Sequence, residues 1–339
     1  MKYISKEKPQ FKANLHSHST LSDGRLTPDE MARVYRAHGY SILAVTDHEV
    51  PCDHSELTTP DFLMLTGYEA YIRVTEECVY DLFKPEIHMN LIAKTPHNTT
   101  SVNYNPQYDK YMSPEMAASR KKVGDLGPRR YEHAYIQKFI DTAREAGYLV
   151  TYNHPCWSME REEDVLNYDG FFSLEIFNSA AMVDNGYEIN LSLYDKFLRR
   201  GKFLYCHGAD DNHNKISIGD PLSESFGAWT MVLAEKLTYP AVVEALEKGN
   251  FYASTGPMIC ELLFTGEHVH LECSPAKRIM MHISPKKSVS AYNKDGSAVS
   301  AADFDIPKNV EFVYFSVHQA DGTSACTRAF RREEWESGI

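Results

Sequence analysis

Through the first 250 positions the chain repeats one pattern: a short apolar run, a polar or glycine-bearing break, an amphipathic stretch, then another apolar run. The runs at 11–16, 41–45, 62–65, 88–92, 148–152, 173–177 and 203–205 read as strands. Thr27-Pro28-Asp29-Glu30 is a capping box with proline at the first helical position, and Gly39, just after His38, should end that helix. Helices around 131–146 and 186–200 are each closed by a glycine, Gly147 or Gly201. Strand and helix in alternation predict an α/β fold with a parallel sheet or barrel.

Two segments break the pattern. Residues 95–130 are polar, carry several Pro, Asn and Gly, and lack sustained periodicity, which predicts a long lid-like insertion. After the Gly249-Asn250-Phe251-Tyr252-Ala253-Ser254-Thr255-Gly256-Pro257 run the period changes to two, as at 267–273, 278–284 and 310–317, with turns at Lys294-Asp295-Gly296 and Asp321-Gly322. The expected division is therefore 1–257 for the α/β unit and 258–339 for a small antiparallel β domain.

The 339 residues suffice for a large core. A net charge of −12 argues against holding long nucleic acid by phosphate neutralisation, though not against a local basic pocket, so a small-molecule substrate is expected. The N-terminal MKYISKEKPQ has no apolar signal core and no stretch reaches the length of a membrane span, which gives a cytoplasmic expectation with no membrane partner. Seven cysteines, among them Cys78, are scattered without a CxxC pair, so neither a disulfide framework nor a thiolate zinc site is expected.

The fifteen histidines change the picture, because many fall at the ends of apolar runs. His16-Ser17-His18 places two imidazoles two apart in an extended segment, and both can face one side. Asp23, His48, Glu69, His154, Asp211 and His213 follow at or just past other strand ends, where (β/α) barrels place their chemistry. His88 stands instead at a strand start. Nine O/N ligands without sulfur suit Zn, Mn or Fe, two or three ions in all, and a carboxylate such as Glu69 can bridge two of them. Paired ions of this kind serve phosphoester cleavage.

His16-x-His18 with Ser22-Asp23-Gly24, Thr46-Asp47-His48, Gly67-Tyr68-Glu69, Asn153-His154-Pro155 and Asp211-Asn212-His213 resemble, in order, the motifs of the PHP (polymerase and histidinol phosphatase) metallohydrolases. The resemblance spans roughly 11–257. It implies a distorted (β/α)7 barrel with a trinuclear metal centre that cleaves a phosphoester of a small metabolite or nucleotide. The nucleophile would be a hydroxide held between ions, with no catalytic side chain. It further implies one ion on His16, His18, Glu69 and Asp211, a second on Glu69, His88 and His154, and a third on Asp23, His48 and His213. Asp211 is preferred to Asp210 because Asp-x-His is the family spacing. The 249–257 run with a β domain behind it resembles the branch that includes carbamate-hydrolysing enzymes, which implies ester, carbamate or amide hydrolysis as the alternative.

For substrate contacts the expectation falls on Arg25, just past Asp23-Gly24, on Asn178 at a strand end, whose alternative is a turn-forming role, and on Ser254 in the 249–257 run, where Ser-Thr-Gly-Pro serves a turn equally well. Arg120, Lys121, Lys122, Arg129 and Arg130 of the lid are further cations. Asp47 is expected to orient an imidazole, as carboxylates often do behind a metal ligand. His207 is either a partner of a ligand or simply packed, and His38 should serve the helix C-terminal carbonyls. His54, His97 and His133 are expected at the surface or in the lid.

Overall fold

A computed structural model of the chain describes residues 1–74, 84–187, 190–284 and 286–337; Cys78 and positions 188–189 of the expected 186–200 helix lie outside them. In chain order the strands are β1 (Lys2–Ile4), β2 (Phe11–Asn14), β3 (Ile42–Val45), β4 (Leu63–Arg73), β5 (Glu86–Ala93), β6 (Ser101–Val102), β7 (Lys122–Val123), β8 (Tyr148–Tyr152), β9 (Ser173–Asn178), β10 (Tyr205–Ala209), β11 (Trp229–Val232) and β12 (Phe251–Ser254). The rest are β13 (Ile259–Thr265), β14 (His268–Ala276), β15 (Arg278–Ile283), β16 (Lys287–Ala291), β17 (Val299–Asp305), β18 (Phe312–His318), β19 (Ser324–Thr327) and β20 (Phe330–Arg331). One large sheet runs β10-β9-β8-β5-β4-β3-β2-β11-β12-β19-β18-β15-β16, with β20 beside β18, and a separate antiparallel sheet runs β1-β13-β14-β17. The fold is mixed α/β.

The neighbours β2-β3-β4 and β8-β9-β10 are parallel, as strand–helix alternation requires. Strand β5 is the departure: it runs antiparallel to both β4 and β8. The reversal brings the start of β5 to the same rim as the ends of its neighbours, which is why His88 at a strand start belongs with ligands at strand ends. The two ends of this strand set also meet, since Asp211 N–H donates to His16 O (2.9 Å) and His18 N–H donates to Asn212 O (3.1 Å).

The helix Pro28–Ala37 has the expected capping box, Thr27 with Glu30, and His38 Nδ1 lies 2.8 Å from the Val34 carbonyl. The helix His133–Glu145 buries Tyr135, Ile136, Phe139, Ile140 and Ala143, an i, i+3, i+4 stripe that faces the sheet. Phe139 is fully buried in that core, so its truncation to alanine should cost about 3–5 kcal/mol.

The segment expected as a long lid-like insertion has short elements of its own. β6 pairs with β7, and the helix Pro114–Ser119 is capped by Ser113. Pieces of two and six residues are too brief to leave a periodic signal. Beyond residue 257 the antiparallel strands appear, but they do not form one isolated sheet. β19, β18, β15 and β16 extend the large sheet through β12, and the N-terminal β1 joins β13 in the smaller one.

Candidate metal centre

Past β2 the extended backbone turns alternate side chains to opposite sides. Ser17 donates its hydroxyl to Ala44 O, while His16 and His18 face inward with their Nε2 atoms 3.3 Å apart. Opposite them Glu69 sits in β4, fully buried. Its oxygens meet His16 Nε2 at 3.1 Å, His18 Nε2 at 3.5 Å, His48 Nδ1 at 3.0 Å, His88 Nδ1 at 3.2 Å and His154 Nε2 at 3.4 Å. Asp211 adds a second carboxylate, 3.1 Å from His16 Nε2 and 3.0 Å from His18 Nε2. To one side Asp23 Oδ1 lies 3.4 Å from His213 Nε2 and 3.8 Å from His48 Nε2. All nine residues of the expected ligand set come together.

Several of these short contacts are not hydrogen bonds. His48 Nδ1, His88 Nδ1 and Glu69 Oε2 are buried and have no hydrogen-bond partner among the described residues, although His48 Nδ1 and Glu69 Oε2 are 3.0 Å apart. Donor atoms that crowd without pointing at each other suit a shared cation: ligands held at about 2.1 Å by one tetrahedral ion lie about 3.4 Å from one another. Four groupings of these side chains place their donor atoms within 4.8 Å: His18, Asp23, His48 and His213; His16, His18 and Glu69; His16, His154 and Asp211; His48, Glu69 and His88. The donor set therefore fits divalent ions.

The electrostatics are those of a tightly coupled cluster. Burial works against charging His16, but Asp211, Glu69 and Glu175 outweigh it and hold its pKa well above the ordinary value. His18, buried and crowded by His213 and His48, falls to about 3. Burial alone would raise Glu69; His16, His88 and His48 hold it well below the usual carboxylate range instead.

No family model and no curated protein matches the chain. Among solved structures it is similar to a two-domain protein from Bacteroides vulgatus containing a predicted PHP-like metal-dependent phosphoesterase, at 13% identity and a TM-score of 0.45, over 97% of this chain and 96% of that one. It is also similar to an amidohydrolase from Chromobacterium violaceum with bound sulfate and no metal, at 18% identity and a TM-score of 0.37, over 59% of this chain and 87% of that one.

Behind the ligands stands a residue that sequence reasoning passed over. Glu175 is fully buried in β9, with Oε1 3.1 Å from His16 Nδ1, and its Oε2 accepts from His154 N–H and Asn178 Nδ2, both at 2.8 Å. A glutamate inside the apolar run Ser173-Leu174-Glu175-Ile176-Phe177 was the available signal. His207 sits behind it, Nε2 3.8 Å from Glu175 Oε1 and Nδ1 2.7 Å from Ser173 Oγ, and burial lowers its pKa to about 4. Asn153 holds Glu69 through Nδ2 at 2.7 Å. Asp210, next to Asp211, turns away and accepts from Tyr35 Oη and the Phe226 and Ala228 amides.

The expected substrate contacts are placed differently. Asn178 spends its amide on Glu175, Asp211 Oδ2 (3.1 Å) and the Ala181 N–H, so it fixes the Asp211 carboxylate and caps a helix. Ser254 is buried in β12, donates to Pro257 O and accepts from Gly256 N–H, which makes the 249–257 motif a turn staple. Arg25 is exposed and does not line the cavity over the ligands. Asp47 touches no imidazole; it accepts from Ser19 N–H, Ser19 Oγ and Ser22 Oγ and fixes the loop that carries Asp23. His54 is buried rather than exposed.

That cavity, about 310 Å³, is open above the cluster, and its cations are Arg73, Lys110 and Lys215. Tyr71, Tyr111 and Trp157 supply flat apolar surface, with the Trp157 ring 4.9 Å from His154 and 5.1 Å from His88. Lys110 and Tyr111 come from the 95–130 segment. The 95–130 segment reaches the cavity through these two residues, while Arg120, Lys121, Lys122, Arg129 and Arg130 do not line it.

Proposed function

We propose that the protein is a metal-dependent hydrolase that cleaves a small phosphomonoester. The observation that carries this reading is the ring of five imidazole nitrogens around buried Glu69, with Asp211 beside it and Asp23, His48 and His213 at its edge, beneath a cavity rimmed by three cations. The seven strands β10-β9-β8-β5-β4-β3-β2 are read as a distorted barrel closed where Asp211 and Asn212 meet His16 and His18, with residues 1–257 as the hydrolase unit.

His16, His18, Glu69 and Asp211 would hold one ion, Glu69 with His88 and His154 a second, and Asp23 with His48 and His213 a third. Bound Zn, Mn or Fe would supply Lewis acidity and an activated water. The chain's own residues do the rest. Glu175 and Asn153 orient His16 and Glu69, and Asn178 orients Asp211. Arg73, Lys110 and Lys215 attract the phosphate through an otherwise acidic surface, and Trp157, Tyr71 and Tyr111 exclude water from the apolar part of the leaving group. Among the described residues no helix is long and apolar enough to cross a membrane. The ester, carbamate or amide alternative is the weaker reading, because three cations over the site match a phosphate's charge better than a neutral carbonyl.

The test is metal analysis of the purified protein followed by turnover of an aryl phosphate by Mn- or Zn-loaded protein. At least two ions per chain and phosphatase activity lost in Glu69→Gln are expected. Fewer than two ions, or equal turnover by the variant, overturns the reading.

A further inference from the structure

Arg129 is a cation that the site does not use and that the fold has nevertheless buried, 3% exposed. It stands near the end of the 95–130 segment. Its guanidinium grips Glu49 with both terminal nitrogens, Nη1 to Oε1 at 2.5 Å and Nη2 to Oε2 at 2.7 Å, and also donates to Tyr71 O (2.7 Å) and Asn103 O (3.2 Å). The Tyr108 ring lies 4.6 Å and the Phe139 ring 5.4 Å from its centre. A planar fork matched to a carboxylate and boxed by rings has one geometry available.

Glu49 follows His48 directly. Its backbone is in the left-handed region at φ 60°, a conformation that a glutamate adopts only when its surroundings hold it there. Three contacts do the holding: Glu49 N–H donates to Glu69 O (2.8 Å), and its Oε1 accepts from Tyr71 N–H (3.0 Å) and from Arg129. His48 is thus set between a strained residue and β4, and the far end of the brace belongs to the lid. The same lid stretch places Lys110 and Tyr111 in the cavity wall.

We infer that the Glu49–Arg129 pair joins the seating of the lid to the placement of His48, with Arg129 a positioning residue for the group Asp23, His48 and His213. This rests on the metal reading above. By linkage, an ion in that group steadies the lid as much as the seated lid tightens the ion.

The experiment titrates Mn²⁺ alone into full-length wild type, Arg129→Met, Arg129→Lys and, as a lid control, Arg130→Met, counting ions by native mass spectrometry against a competing chelator. Trypsin cleavage within 95–130 is followed with and without Mn²⁺. Arg129→Met should weaken one ion about tenfold and leave the others as in wild type, Arg129→Lys should fall between, and Arg130→Met should match wild type. Mn²⁺ should protect the lid in wild type but not in Arg129→Met. Should that variant misfold because Glu49 is left as an unpaired buried charge, the Glu49→Gln/Arg129→Met double variant removes the charge and should show the same selective loss. Equal affinities and equal protection in the folded variants overturn the inference while the metal reading stands; wild type that binds fewer than two ions overturns both.

Discussion

Replacing Glu175 with glutamine changes no volume and removes one charge, yet it should disable His16. The carboxylate now accepts on both sides: His16 Nδ1 at 3.1 Å on Oε1, and the His154 amide and Asn178 Nδ2 at 2.8 Å each on Oε2. Two of those three partners, the His154 amide and the Asn178 Nδ2 group, whose Oδ1 is held by Ala181 N–H, can only donate, so the glutamine oxygen must stay on their side. Its NH2 group then faces His16 Nδ1. To accept from it, the imidazole must move its proton to Nε2, the atom that lies 3.1 Å from both Glu69 and Asp211. The proton would occupy the lone pair offered to a metal. Altering a partner of this kind costs about 10–100-fold in metal affinity, or about 1.4–2.8 kcal/mol. The assay is chelator-competition titration with Zn²⁺ or Mn²⁺ of Glu175→Gln against wild type, with circular dichroism to confirm the fold. Affinities within about twofold of each other for every ion would refute the tautomer argument, since nothing else in the substitution compensates it.

Lys110→Ala and Arg73→Ala should raise KM for an aryl phosphate several-fold with a smaller change in kcat, and the wild-type advantage should shrink with added salt; an unchanged KM in both would remove them from the substrate path. Asp109 is buried in the lid with neither carboxylate oxygen hydrogen-bonded among the described residues, and burial, then the charge of Glu49, raises its pKa to about 6. A raised carboxyl pKa means the native state prefers the protonated form, so the penalty is absent below about pH 4, grows as pH rises towards 6 and is complete above it. Asp109→Asn should therefore raise Tm at about pH 8 and leave it unchanged at about pH 4, read by differential scanning fluorimetry. Thr27→Ala breaks the exposed capping box and should lower unfolding free energy by about 1 kcal/mol in urea titration, with metal affinity unaffected.

The candidate ligands were legible in the sequence because residue type and position agree. Six histidines with three carboxylates, all but His88 at or just past apolar strand ends, form a donor set suited to divalent ions, and the fold brings them together. What the chain hid depends on direction and distance. His88 looked misplaced because apolar periodicity says where a strand is but not which way it runs, and only the antiparallel pairing of β5 with β4, Tyr71 opposite His88, returns it to the rim. Arg25 was favoured by nearness in sequence to Asp23, whereas the cavity draws its cations from Arg73, Lys110 and Lys215, none of them beside Arg25 in the chain. Asn178 and Ser254 carry hydrogen-bonding groups that suit a substrate or a local turn equally well, and the turns have taken those groups. Glu175 and Arg129 make the same point from the inside. A lone charge in an apolar run or a lid reads as noise until its partner is found, His16 at 159 positions from Glu175 and Glu49 at 80 from Arg129. The candidate metal donors are thus written in residue type and order, while the groups that aim them are written in the pairing of distant segments.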